Sequence, residues 1–182
     1  MIINTCYLSS SNLMSKSSSL KSRAAEPSSS LIQVVEKNKA LVRQLIDFFN
    51  QHNLEEMEEL MSSKYLLYLP SMQPLDWNGL KQLLSSVYYA AFPDLRAEFE
   101  DMTAGGNMVS ARIRYVGTQK GEFLGISPTG KKVSFAGFLI QNFDIDNGKL
   151  AEGWLALDPD ELQRKLRRIN HVIHHKEIPS HP

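Results

Sequence analysis

Apolar residues recur at helical spacing in VVEKNKALVRQLIDFFNQ, where Val35, Leu41, Leu45, Ile46 and Phe49 fall on one side. The spacing predicts a helix beginning near Ile32. Asn53 then reads as a helix N-cap with Glu56 as its capping-box partner, opening a short second helix from Leu54 to Met61. YLLYLP, Tyr65 to Pro70, reads as a short strand stopped by proline. Asp76 is the expected N-cap of a third helix reaching about Ala91, with an apolar stripe of Leu80, Leu83, Leu84, Val87 and Tyr88, and Pro93 ends it.

The pattern then changes to strands: Leu95 to Met102, Asn107 to Thr118, Lys131 to Ile145 and Lys149 to Leu157. Gly105-Gly106 turns the chain after the first, and Asp146-Asn147-Gly148 supplies the tight turn between the last two. A final helix starts at Asp158. Helices first and a meander of antiparallel strands afterwards argue for an α+β fold, with helices covering one face of a curved antiparallel sheet and a C-terminal helix closing it. No internal repeat is seen.

Composition changes the picture at the ends. The first 30 residues hold 11 serines, Lys16, Lys21 and Arg23, and a single acid, Glu26. Residues 1–31 therefore read as a disordered leader or an organelle transit peptide, which composition alone does not separate. The folded domain is expected over 32–175, with 176–182 a flexible tail. Within 182 residues, 20 basic and 20 acidic side chains cancel, so no broad field draws nucleic acid or anionic lipid. No apolar run approaches the roughly 20 residues that cross a bilayer. The lone Cys6 cannot form an internal disulfide. The expected location is the cytoplasm, or a plastid or other organelle if the leader is a transit peptide.

GTQKGEFLGISPTGKKV, Gly117 to Val133, resembles the GTHxGEFxGIPPTG segment of the SnoaL-like polyketide cyclases, also called ester cyclases. AAFPDLRAEFED, Ala90 to Asp101, is similar to that family's helix end and following strand. NGKLAEGWLALDPDELQRKL, Asn147 to Leu166, is similar to its last strand and helix, patterned DGKIxEHWxxxD. The resemblance runs in order from about Asn38 to Leu166. It implies the cone-shaped, ketosteroid-isomerase-like fold, a deep pocket between helices and sheet, and association as a homodimer or higher homo-oligomer.

The family reaction is an aldol-type ring closure that needs an acid/base group and, by the resemblance, neither metal nor organic cofactor. The family's acid/base aspartate falls on Asp158. Strand alternation puts Glu152, Trp154, Ala156 and Asp158 on one face, which sets an indole beside the carboxylate. Asp158-Pro159-Asp160-Glu161 is equally a helix start, and a carboxylate that caps a helix is held charged by backbone N–H groups, the opposite of what proton exchange asks. Three positions where the family carries histidine hold Tyr68, Gln119 and Gly153. Tyr68 keeps a hydroxyl able to donate to an oxyanion, and it joins Asp158 as a catalytic candidate.

Arg112 matches a family arginine and is either a carbonyl anchor or part of a solvated sheet face with Arg114. Gln141 shares a face with Phe135, Leu139 and Phe143, so it lines a pocket or is a satisfied core group. Gln119, Trp77, Phe92, Phe123 and Trp154 complete the candidate lining of a substrate site, with core packing the alternative for the aromatic members. The basic C-terminal run includes His171, His174 and His175 at helical spacing, with no acid or cysteine in register to complete a metal site. Three functions stay open: a cyclase or isomerase acting on a carbonyl-rich, largely apolar metabolite; a non-catalytic binder of a lipid, pigment or polyketide; and an association module.

Overall fold

The computed structural model describes residues 28–167. Helix α1 spans Ser29–Asn50 and is followed by α2, Leu54–Leu60, and strand β1, Met61–Tyr68. Helix α3, Trp77–Leu83, runs directly into a π-helical turn, Leu84–Tyr89. Four strands follow: β2 Arg96–Gly105, β3 Met108–Thr118, β4 Lys132–Phe143 and β5 Leu150–Leu157; helix α4, Pro159–Arg167, ends the described chain. Residues 1–27 of the expected leader, with Cys6, and residues 168–182, with the C-terminal histidines, lie outside the described residues, whereas 28–31, also expected in the leader, cap and open α1.

Local chemistry sets these boundaries. The Asn53 side chain accepts from Glu56 N at 3.2 Å, and Asp76 Oδ1 accepts from Gly79 N at 2.8 Å, capping α2 and α3 as the sequence predicts. Helix α1 starts at Ser29 instead of Ile32 because Ser28 caps it. The first strand starts at Met61 instead of Tyr65: Met61 pairs with Leu150, and the ladder resumes at Leu66 after an irregularity that spans the polar Ser62 to Lys64. The third helix passes from α into π geometry at Leu84, a change that its apolar periodicity does not announce.

The sheet order is β1-β5-β4-β3-β2. Strands β2 to β5 form the expected antiparallel meander, but β1 pairs parallel with β5, so the sheet is mixed and not wholly antiparallel. The connection through α3 carries the chain to the far edge of the sheet, where β2 runs opposite to β1, and the three reversals from β2 to β5 then bring β5 back parallel to β1. One face of the sheet presents Val109, Ala111, Ile113, Tyr115, Phe135 and Leu139 to the helices, all buried. The other face is largely open to solvent.

Each sheet edge is met at one residue by another part of the chain. Leu67 and Leu75 exchange backbone hydrogen bonds at 2.7 and 2.9 Å on the β1 side. On the β2 side the Asn50 side chain accepts from Ala97 N at 2.7 Å and donates to Ala97 O at 3.0 Å, so the last residue of α1 stands in for a missing strand. Asn50→Ala leaves both groups without partners and is expected to cost about 2 kcal/mol. Urea denaturation should show a lower midpoint with an unchanged slope.

Candidate functional site

The interior is apolar and lies between the sheet and helices α1 and α3. Among the described residues, two small chambers lie within it. One, of about 50 Å³, is lined by residues that include Leu69, Leu83, Tyr88, Leu95, Phe135 and Leu157. The other, of about 60 Å³, is lined by residues that include Met57, Met61, Tyr65, Leu139 and Gln141. Phe49, Leu67, Leu80, Leu84, Tyr115 and Leu155 line both chambers and so form the wall between them. Leu84 and Tyr88 come from the π-helical turn. Met61 and Tyr65 also border a polar crevice of about 220 Å³ with Glu58, Ser62, Ser63, Asp76 and Trp77.

The polar content of this interior is confined to a few groups. Gln141 is 2% exposed, and its Nε2 donates to Tyr65 Oη at 3.2 Å. Its Oε1 has no hydrogen-bond partner. Gly153 sits opposite Gln141 in the β4–β5 register. A Cβ there would lie 2.6 Å from Tyr65 Oη and 2.8 Å from Gln141 Nε2, so the pair fills the volume that any side chain at 153 would need. Burial pushes the Tyr65 hydroxyl up to about 12, against a smaller downward pull from the Gln141 hydrogen bond. Burial likewise raises Tyr88 and Tyr115, and the nearness of Tyr88 raises Tyr115 further.

The structure brings only Gln141 of the sequence-derived site residues to these chambers. Tyr68 and Trp154 lie opposite each other on β1 and β5 and stack with ring centroids 5.1 Å apart, on the outer face of the sheet. The expected row of Glu152, Trp154, Ala156 and Asp158 exists, but it faces out; Trp154 is 37% exposed and gives the carboxylate no dry pocket. Asp158 caps α4, accepting from Glu161 N at 2.8 Å and from Arg164 at 3.4 Å. Arg112 is also on the outer face, paired with Glu100 at 3.2 Å. Glu100 is the extra residue of a bulge in β2, which turns it toward both Arg112 and Arg114.

Gln119 is fully buried but serves its loop: Nε2 donates to Ile126 O and Ser127 O, and Oε1 accepts from Thr129 N and Oγ1. Phe92 and Phe123 pack edge to face at 5.2 Å behind Tyr88 and reach neither chamber. Trp77 lines the polar crevice, with Lys81 5.6 Å from its ring. Tyr65, Tyr115 and Leu155 line the interior although sequence reasoning nominates none of them for the site, and it places Tyr88 only in the apolar stripe of its helix. Strand alternation carries the signal for three of them: Tyr65 shares parity with Leu67, Tyr115 with Ile113, and Leu155 with Gly153.

The SnoaL-like polyketide cyclase family model matches residues 39–166. The chain belongs to this family. Among solved structures it is similar to AclR of Streptomyces galilaeus, a proposed hydroxylase, at 26% identity over 72% of this chain and 96% of that one, with a TM-score of 0.67. It is similar to IdmH of Streptomyces antibioticus, a proposed polyketide cyclase, at 25% identity, 71% and 97% coverage and a TM-score of 0.64. A proposed SnoaL-like polyketide cyclase from Jannaschia sp. CCS1 shares the fold at 22% identity, 78% and 96% coverage and a TM-score of 0.65. No curated protein matches. These likenesses establish the SnoaL-like cone fold. Among the described residues, no helix is long and apolar enough to cross a membrane.

The buried hydroxyl of Tyr65 gives the site a pH signature. Its folded value lies above the ordinary 10.0, so its contribution is complete below pH about 10 and is lost as pH rises toward 12. The fall is the cost of ionising a buried hydroxyl, on the order of 2–3 kcal/mol across the window, and is separate from stability at neutral pH. Urea denaturation across this window should show stability falling, and Tyr65→Phe should remove part of the fall. A flat profile would contradict the burial of this hydroxyl.

Proposed function

We propose that this SnoaL-like protein binds a small, largely apolar molecule inside the cone, and that Asp158 exchanges no proton with it. The makeup of the chamber walls carries this reading. The lining residues include tyrosines and one glutamine but no carboxylate, imidazole, lysine or arginine. A cyclase or isomerase step starts by taking a proton from carbon beside a carbonyl, which needs a base within hydrogen-bond reach. Tyrosines held above their ordinary range are hydrogen-bond donors near neutral pH, not bases. Asp158, which the family pattern nominates, is engaged at the surface as a helix cap.

Apolar walls favour an apolar ligand by about 25 cal/mol for each Å² it removes from water. The two chambers are smaller than the roughly 300 Å³ of an ordinary small-molecule pocket. Binding therefore calls for the shared wall to move, and the π-helical turn that carries Leu84 and Tyr88 is its least regular part.

The neutral fluorescent probe N-phenyl-1-naphthylamine tests this. Asp158→Asn should bind it within about twofold of wild type, and Leu155→Trp, which fills the shared wall, should weaken it at least about tenfold while the protein still melts cooperatively. Equal binding by the Leu155 variant, or loss of binding in Asp158→Asn, would overturn the reading. A separate reading, association of two copies through the outer face, is supported by the exposure of Phe138 (59%) beside Trp154. Phe138→Asp should then lower the sedimenting mass.

A further inference from the structure

We infer that Tyr65 and Gln141, packed over Gly153, read a neutral hydroxyl group, phenolic or enolic, on the bound molecule. The inference rests on the binding reading above and adds the chemical class that the interior selects. Tyr65 Oη takes a hydrogen from Gln141 Nε2, which leaves the tyrosine O–H free to donate. Gln141 Oε1 has no donor and remains an unmet acceptor at the wall of the second chamber. The pair therefore offers one donor and one acceptor side by side in apolar surroundings.

A ligand hydroxyl answers both, accepting from Tyr65 and donating to Gln141. A ketone or aldehyde answers only the donor and leaves Oε1 unmet. A carboxylate finds no cation, since no lysine, arginine or histidine lines either chamber, and its burial without a partner is costly. A hydrocarbon leaves both protein groups unmet. Gly153 makes the arrangement available: with a Cβ at that position Tyr65 and Gln141 could not both hold their places. The unmet acceptor is also a reason to reject a purely structural role. A buried amide whose only task was to hold Tyr65 would leave its second end satisfied, as Gln119 does with both ends of its own amide.

The experiment compares three probes of one skeleton, p-cresol, 4-methylbenzaldehyde and p-xylene, by calorimetric titration of the full chain. The inference predicts p-cresol tighter than both others by about tenfold, the worth of one hydrogen bond made to a group otherwise left unmet. Gln141→Leu should reduce that preference to about twofold or less while p-xylene affinity holds or improves. Three equal affinities would overturn the inference and leave the binding reading standing, as would the aldehyde binding tightest, which would mean the amide presents its NH₂ end to the ligand. Failure of all three to bind would overturn the binding reading and this inference with it. Thermal melting supplies an independent arm. Tyr65→Phe with Gln141→Leu removes both polar groups and should melt no lower than wild type; a fall of several degrees would show a structural bond and overturn the assignment.

Discussion

The register of β5 between β4 and β1 decides what chemistry the interior can hold. Gln141 faces Gly153 and Leu139 faces Leu155 across one ladder, and Leu67 faces Gly153 across the other. That pairing sends Gly153, Leu155 and Leu157 inward and Glu152, Trp154 and Ala156 outward. A slip of one residue would exchange the two sets. As the strand stands, its inward positions hold no ionisable group, and the carboxylate that follows it meets the N-terminus of α4 instead of the chambers.

What remains polar inside follows from space. Gly153 leaves a gap, Tyr65 and Gln141 fill it, and they satisfy each other only partly. By contrast Gln119 has both ends of its amide met and ties down the 119–129 loop, and the Tyr89 hydroxyl donates to Phe49 O at 3.1 Å; the other buried side-chain atom without a partner among the described residues, Trp77 Nε1, belongs to a residue of the polar crevice and not of the chambers. The contrast singles out one place where the interior has capacity to spare for a ligand. The shared wall beside it includes the π-helical turn, so the most polar part of the interior adjoins its least regular backbone.

Much of the fold was legible in the sequence. Caps at Asn53 and Asp76, the apolar stripe of α1 and the alternation of β3 and β4 each state a local requirement that the tertiary structure meets. The parallel pairing of β1 was not legible, because it depends on which edge of the sheet β1 takes and not on the strand's own residues. The site was harder still. Alternation correctly grouped Glu152, Trp154 and Ala156, but which group faces the helices depends on pairing with β4. Arg112 and Tyr68 went to the outer face for the same reason, while Gln141, grouped with Phe135 and Phe143, went inside. The alternative that Arg112 belongs to a solvated sheet face describes its position, paired with Glu100 in the open.

Ligand chemistry belongs to the helix-facing side of the sheet. Methyl-resolved NMR on leucine-labelled protein, titrated with N-phenyl-1-naphthylamine, tests it directly. The methyls of Leu67, Leu84 and Leu155 should shift together and saturably, with that of Leu66 on the outer face unmoved. Shifts confined to Leu66, with the three interior leucines still, would contradict it.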